Sequence, residues 1–278
     1  MSSFIKISEQ PSLYNDLEKK SVRQILEEIN TEDRKVAVAV GAAIPQIEEL
    51  VNGIVPRMEQ GGRIFYVGAG TSGRLGVLDA SEIPPTFGMP PTRVIGLIAG
   101  GDKALHGPVE NAEDDPLSGW EELEAHGVTP LDTVVGIAAS GSTPYVLGAL
   151  REARRRGIPT ACITSNPGSP MAEAADVAIE MIVGPEYVTG SSRMKSGTGQ
   201  KMILNMISTA VMIRLGRVRG NRMENMQLSN RKLTDRGTRM LADELGLAYA
   251  DARMLLLKYG SVKEAADAYR KETEGKEE

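Results

Sequence analysis

A chain of 278 residues, 41% hydrophobic and 25% charged, is long enough to bury a sizeable core and has an ordinary globular composition. Its single cysteine excludes an internal disulfide framework and a cysteine-rich zinc site, and a formal net charge of −5 argues against a nucleic-acid groove or an anionic membrane surface. No run of about 20 residues is continuously apolar, and MSSFIKISEQ lacks the apolar core of a secretory signal, so no membrane span and a cytoplasmic location are expected.

Residues 14–29 and 33–58 carry the apolar spacing of two amphipathic helices, with Pro45 and Pro56 expected to kink or end the second. Five short apolar, β-branched runs follow: RIFYVG (63–68), RVIGLIAG (93–100), TVVGIAAS (133–140), PTACITS (159–165) and DVAIEMIVG (176–184). They lack the alternation of a one-sided sheet and read as strands buried on both faces. Cys162, inside the fourth, reads as a small core residue. Helical patterns over 74–83, 104–112 and 144–156 lie between the runs. Alternating strand and helix imply parallel units with right-handed crossovers, hence an α/β fold: a three-layer α/β/α sandwich around a five-stranded parallel sheet.

Residues 192–216 then read as a long, largely buried helix, its start obscured by Gly197 and Gly199, with Met202 and Met206 in the core. Beyond about 220 the strand-like runs stop. TRMLADELG, YADARMLLLKYG and VKEAADAYRKE read as short helices, the last opened by a capping box of Ser261 and Glu264, and the tail KETEGKEE as frayed. The expected organisation is N-terminal helices over 1–60 packing on the core, the α/β domain over 61–218, and a small helical region over 219–278.

Two strands end in matching chemistry. GAGTSGR (68–74) fits the dinucleotide pattern G-x-G-x-x-G, but Thr71 and Ser72 place hydroxyls where the loop would approach a ligand. ASGSTPYV (139–146) repeats the combination. Exposed N–H groups at a helix start favour an anion, and glycine permits close backbone approach. After the second strand the first acid is Asp102, too late for a ribose ligand, which speaks against a nicotinamide cofactor. Gly70, Thr71 and Ser72 with Ser140, Gly141, Ser142 and Thr143 are therefore candidates to hold one compact phosphate from two sides, a plain structural turn being the alternative for the first loop.

The paired loops resemble those of sugar isomerase domains. GAGTSGRLGVLDASEIPPTFG (68–88), NAEDD (111–115) and GPEYVTGSSRMKSGTGQKMILNMIST (184–209) together resemble the N-acetylmuramic acid 6-phosphate etherases, over nearly the whole chain. Where the family is expected to read RMKAGTAQK, this chain has Ser196 and Gly199 in place of alanines. The resemblance implies cleavage of a lactyl ether at sugar C3 of a phosphorylated amino sugar, with neither metal nor redox cofactor. It also implies catalytic roles for Glu82 and Glu113: Glu82 the acid on the departing oxygen, Glu113 the base on C2 or on the added water, or the reverse.

The acidic trio Glu113, Asp114 and Asp115 has a solvated face as its plain alternative, and Glu82 a helix-end carboxylate before Pro84 and Pro85. Lys195 and Arg193 read either as cations for the phosphate or lactate carboxylate or as surface charges; His106 is a lone histidine with no assigned role. If 72–82 is one unbroken helix, Glu82 stands ~15 Å from the loop that starts it, beyond the reach of one hexose phosphate. Either the helix breaks near Gly76 or the site is composite, shared across a homodimer. The rival readings are a non-catalytic phosphosugar-binding regulator and an aldose–ketose isomerase.

Overall fold

The computed structural model describes residues 4–223, 225–228 and 230–274. All five expected strands form: β1 (Ile64–Gly68), β2 (Val94–Ile98), β3 (Thr133–Ile137), β4 (Thr160–Thr164) and β5 (Val177–Glu180). They pair in parallel in the order β2-β1-β3-β4-β5, with Gly68 in register with both Ile98 and Ile137. Every residue of β1, β3 and β4 is buried, which is why these segments lack alternation. The chain leaves β1 towards the edge strand β2 and leaves β3 in the opposite direction, towards β4. This reversal opens a crevice at the carboxyl ends of β1 and β3, where α/β sheets of this order bind ligands.

One compact unit ends at Ser81 and resumes over Thr92–Val211; the other comprises Glu82–Pro91 and the chain from Met212 onward. In the first, α5 (Ser118–Ala125) and α6 (Pro144–Arg155) cover one face of the sheet, burying Phe65, Val67, Val134 and Cys162 against Trp120, Tyr145 and Leu150. Cys162 is core, as its surroundings in sequence suggest, and burial followed by the nearby Glu180 charge pushes its thiol up to about 12. The opposite face meets α3 (Gly70–Phe87), where a side chain on Gly76 would touch Tyr66 Cβ at 3.0 Å.

The helix limits differ from expectation in several places. α1 spans Val22–Ala42 and α2 Ile44–Glu59, so the break falls at Ala43 and not near residue 30. Ser21 and Gln24 form a capping box that starts α1. Pro45 opens the first turn of α2, where its missing N–H costs nothing, and Pro56 is carried inside the last turn. The 104–112 pattern yields only α4 (Lys103–His106), because extended Gly107 and then Pro108 stop it. α7 (Pro170–Ala174) was not legible in advance. α8 (Lys195–Arg214) is confirmed as the long helix, but Met206 is 37% exposed and Met202 only part-buried. The buried stripe instead runs through Ile203, Leu204, Ile207 and Val211, leaving both methionines off its centre.

In the second unit α9 (Arg231–Leu245), α10 (Tyr249–Tyr259) and α11 (Val262–Glu274) close around Leu241, Ala252, Leu256, Val262 and Ala265. Gly246 and Gly260 take left-handed φ of 66° and 81° to end α9 and α10. Ser261 Oγ accepts from Glu264 N at 3.2 Å, the backbone half of the capping box. α11 continues through KETE, expected to fray; residues 275–278 lie outside the described residues. Among the described residues no single helix is long and apolar enough to cross a membrane.

Candidate active site

The two hydroxyl-bearing loops stand side by side, because β1 and β3 are neighbours at the switch point. Each glycine of the first loop has a separate job. A Cβ on Gly68 would lie 2.7 Å from Gly73 N, and one on Gly73 would lie 2.6 Å from Ile98 Cγ1, so both permit the tight strand-to-helix turn. Gly70 has a left-handed φ of 52° and open space where a side chain would go. The hydroxyls diverge. Thr71 is part-buried beside Gly197, whereas Ser72 is buried and donates to Gln200 Oε1 of α8 at 2.9 Å. Ser72 thus ties the loop to α8, a link that sequence reading missed because 128 residues separate the partners.

In the second loop Ser142 N donates to Ser140 Oγ at 3.3 Å, and Ser140 Oγ lies 3.4 Å from Thr143 Oγ1, just ahead of Pro144 at the first turn of α6. Gly141 has φ 69°, and a Cβ there would sit 2.3 Å from Ser169 Oγ and 2.6 Å from Thr164 Oγ1. Gly141→Ala is therefore expected to lower stability by about 1–3 kcal/mol from overpacking alone, measured by urea denaturation. Gly157→Ala, also at positive φ but in open space, isolates the backbone strain and should cost less.

Glu113 lies in a single helical turn, Ala112–Asp114, held by left-handed Asn111. It lines a cavity of about 250 Å³ together with Gly70, Arg74, Ala99 and Val109. Fold and sequence thus bring Glu113 and the first loop to one cavity. Arg74, which sequence reasoning passed over, fastens the edge of this cavity by donating to Leu105 O at 3.2 Å and Gly107 O at 3.4 Å. The only prior signal was a cation immediately after the glycine pattern. A larger cavity of about 490 Å³, lined by Arg57, Thr133, Thr160 and Asp176, opens at the amino ends of β3 and β4, away from the switch point and its hydroxyls. Glu82 is exposed on α3, in the second unit. α3 continues through Gly76, Pro84 and Pro85, so of the two alternatives for its course the unbroken helix is the one that forms. Among the described residues no cluster of three or more His, Cys, Asp or Glu side chains is placed to hold a metal ion.

Lys195 is not a surface cation, and in the single chain its ammonium is engaged by a carboxylate. It is 1% exposed, and its ammonium donates to Glu32 Oε2 of α1 at 2.6 Å. Glu32 Oε1 accepts from Tyr14 at 3.0 Å and Lys35 at 2.6 Å. Burial works against the Glu32 charge, but the hydrogen bonds from Lys195, Lys35 and Tyr14 outweigh it and hold the carboxyl below its ordinary value. Fully buried Glu186 takes Lys195 N, Ser196 N and Ser196 Oγ at 2.9, 2.9 and 2.8 Å, a carboxylate capping the positive end of α8. The two departures from the expected wording are both accommodated. The Ser196 hydroxyl joins the cap, and Gly199 gives room to Met181, whose Sδ a Cβ would meet at 1.9 Å. Arg193 and His106 are exposed.

Comparison with known proteins agrees with this architecture. Residues 46–154 match the glucokinase regulatory protein N-terminal SIS domain, and residues 123–210 match the SIS domain. A phosphoheptose isomerase from Francisella tularensis shares the fold at a TM-score of 0.52 and 18% identity, covering 69% of this chain and 98% of its own. An N-acetylmuramic acid 6-phosphate etherase of Bacteroides fragilis (strain YCH46) is 76% identical over 268 residues, 96% of this chain and 95% of the relative. One from Bacteroides thetaiotaomicron is 72% identical over 275 residues, 99% of both chains. Identity at this level, carried from end to end, shows that the chain belongs to the N-acetylmuramic acid 6-phosphate etherase family.

Proposed function

We propose that the protein is a carbon–oxygen lyase that cleaves the D-lactyl ether of N-acetylmuramic acid 6-phosphate, yielding N-acetylglucosamine 6-phosphate and D-lactate. The observation that carries this reading is the full-length identity to etherases, 76% over 268 residues. Two hydroxyl loops at the switch point give the sugar phosphate a place to bind.

Direct displacement at a crowded ring carbon is unattractive; elimination is easier. In the open-chain sugar the C1 aldehyde acidifies the hydrogen on C2. A base removes that proton, the C3–O bond breaks, and lactate leaves with a proton from an acid. Water then adds at C3 of the resulting double bond, and the ring recloses. Glu113 is assigned the base and Glu82 the acid, carboxyl groups being suited to both jobs when their environments differ. Gly70, Thr71, Ser140, Gly141, Ser142 and Thr143 are assigned to the phosphate, with Ser72 fixing the first loop from behind.

The protein is further proposed to act as a homodimer with a composite site. Ten residues of unbroken helix between Ser72 and Glu82 rise about 15 Å, so one hexose phosphate cannot reach both. Both glutamates are exposed on the single chain, and the 250 Å³ cavity beside Glu113 is smaller than the usual ~300–1,000 Å³ of small-molecule sites. A second chain supplies the missing walls. In this assignment residues 61–218 carry the phosphate site, 1–60 brace them and 219–278 form a helical appendage, in a cytoplasmic enzyme of cell-wall amino-sugar catabolism. The test is to incubate the purified protein with N-acetylmuramic acid 6-phosphate and assay free D-lactate. Sugar-phosphate binding without lactate would favour the regulator instead.

A further inference from the structure

Asn166, just past the end of β4, is fully buried, yet its side chain faces the second hydroxyl loop rather than solvent. The two N–H groups of its Nδ2 serve three acceptors, Ala139 O and Ser140 O, each at 3.1 Å, and Ser8 Oγ at 2.9 Å, so one of them is shared. Its Oδ1 accepts from Ser8 N at 2.9 Å. Backbone carbonyls only accept and a backbone N–H only donates, so these neighbours leave the amide one orientation. Ser8 is itself fully buried in a short turn, Ile7–Glu9. The segment is secured further along by Ser12, whose N donates to Thr189 Oγ1 at 2.9 Å and whose hydroxyl donates to Tyr187 O at 2.7 Å.

A trans peptide carries its C=O and the following N–H on opposite edges. Holding the Ala139 and Ser140 carbonyls towards Asn166 therefore turns the Ser140 and Gly141 N–H groups away from it. Gly141 N is satisfied by Ala138 O, closing the turn, and Ser140 N lies on the edge opposite the amide. Ala139 O is held as well by Ser165 N at 3.0 Å and Thr164 Oγ1 at 3.3 Å, whereas Ser140 O is held by an amide tied to Ser8, 158 residues away, so the Ser140–Gly141 peptide plane is the part of the loop that this amide orients.

We infer that Asn166 is a positioning residue for the 139–143 phosphate loop, and that the buried Ser8 of the N-terminal strap sets its amide. This rests on reading that loop as phosphate-binding. The chemistry asks for an amide: Asn166→Asp keeps the shape but confronts two carbonyl oxygens with a third acceptor. Ser8→Ala removes one acceptor of the Asn166 amide and leaves the backbone bond in place.

The test uses the intact chain, measuring the Kd of N-acetylglucosamine 6-phosphate by calorimetry, KM and kcat for lactate release, and Tm. Asn166→Asp is expected to raise Kd and KM at least tenfold with kcat changed less than threefold. Ser8→Ala is expected to raise both two- to fivefold and decides alone if Asn166→Asp does not fold. Unchanged Kd and KM in the folded variants, or a fall in kcat alone, overturns the inference. Ser142→Ala serves as the direct loop control. If it weakens binding while the Asn166 and Ser8 variants do not, only the strap inference fails. If it is silent too, the phosphate-loop reading falls and the inference with it.

Discussion

Glu113→Gln and Glu82→Gln will each lower kcat for lactate release by roughly 10²–10⁴-fold, the usual contribution of a positioned general acid or base. Binding of N-acetylglucosamine 6-phosphate should change little, because glutamine keeps the side chain's shape and the phosphate loops are untouched. The stability of Glu113→Gln should change little as well, because Glu113 is exposed on a short turn. A variant that retains near-full kcat removes that residue from the chemistry. The composite site can be tested with the same proteins. A Glu82→Gln chain mixed with a loop variant such as Gly141→Ala, after exchange of subunits, should regain about a quarter of wild-type activity. Half the dimers are then mixed, and in each the symmetric interface rebuilds one intact site of two. No recovery after proven exchange would place both functions in one chain.

Lys195→Met will destabilise the protein by about 3 kcal/mol, the lower end of the cost of removing one member of a buried ion pair, because Glu32 keeps Lys35 and Tyr14 on its other oxygen. Lys195 and Glu32 are 1% and 2% exposed, and among the described residues Glu32 Oε2 accepts from Lys195, so water cannot replace the lost bond without opening the site between α1 and α8. The sign of the pH dependence follows from Glu32. Its folded-state pKa lies below the unfolded value, so the wild-type contribution is complete above the ordinary glutamate range, near 4.3, and is lost as pH falls through the depressed value. In the variant the Lys195 bond no longer offsets burial, so the Glu32 carboxyl is held less far down than in the wild type and takes up its proton at higher pH, which relieves part of the penalty in acid. The Tm difference between the two proteins should therefore be largest near neutral pH and shrink in acid. Adding Glu32→Gln to Lys195→Met should recover much of the loss. A Lys195→Met protein with wild-type Tm and a raised KM would return Lys195 to the phosphate.

The strands and the glycine-and-hydroxyl turns that follow β1 and β3 were legible in the linear order of residues. A strand buried on both faces must be a short, continuous β-branched run, and all five runs became strands. Gly68, Gly70 and Gly73 are likewise marked by local need, since each occupies a turn that a side chain would block or strain. Propensity also located α6 and α9–α11, whose amphipathic spacing and caps lie within a few turns of each other.

What pattern alone did not decide depends on partners far apart in the chain. Pro84 and Pro85 mark a helix end by local rule, yet α3 carries both. Met206 has the spacing of a core residue, but the face that α8 buries runs through Ile203 and Ile207. Lys195 looks like a surface cation until Glu32, 163 residues earlier, is brought against it, and Ser72 looks like a free donor until Gln200 accepts its hydrogen bond. Local sequence determined which segments become strands, turns and helices, because those preferences are set within a few residues. Tertiary structure decided which polar groups remain free for a ligand, because a buried donor or charge must find its partner wherever the fold places one.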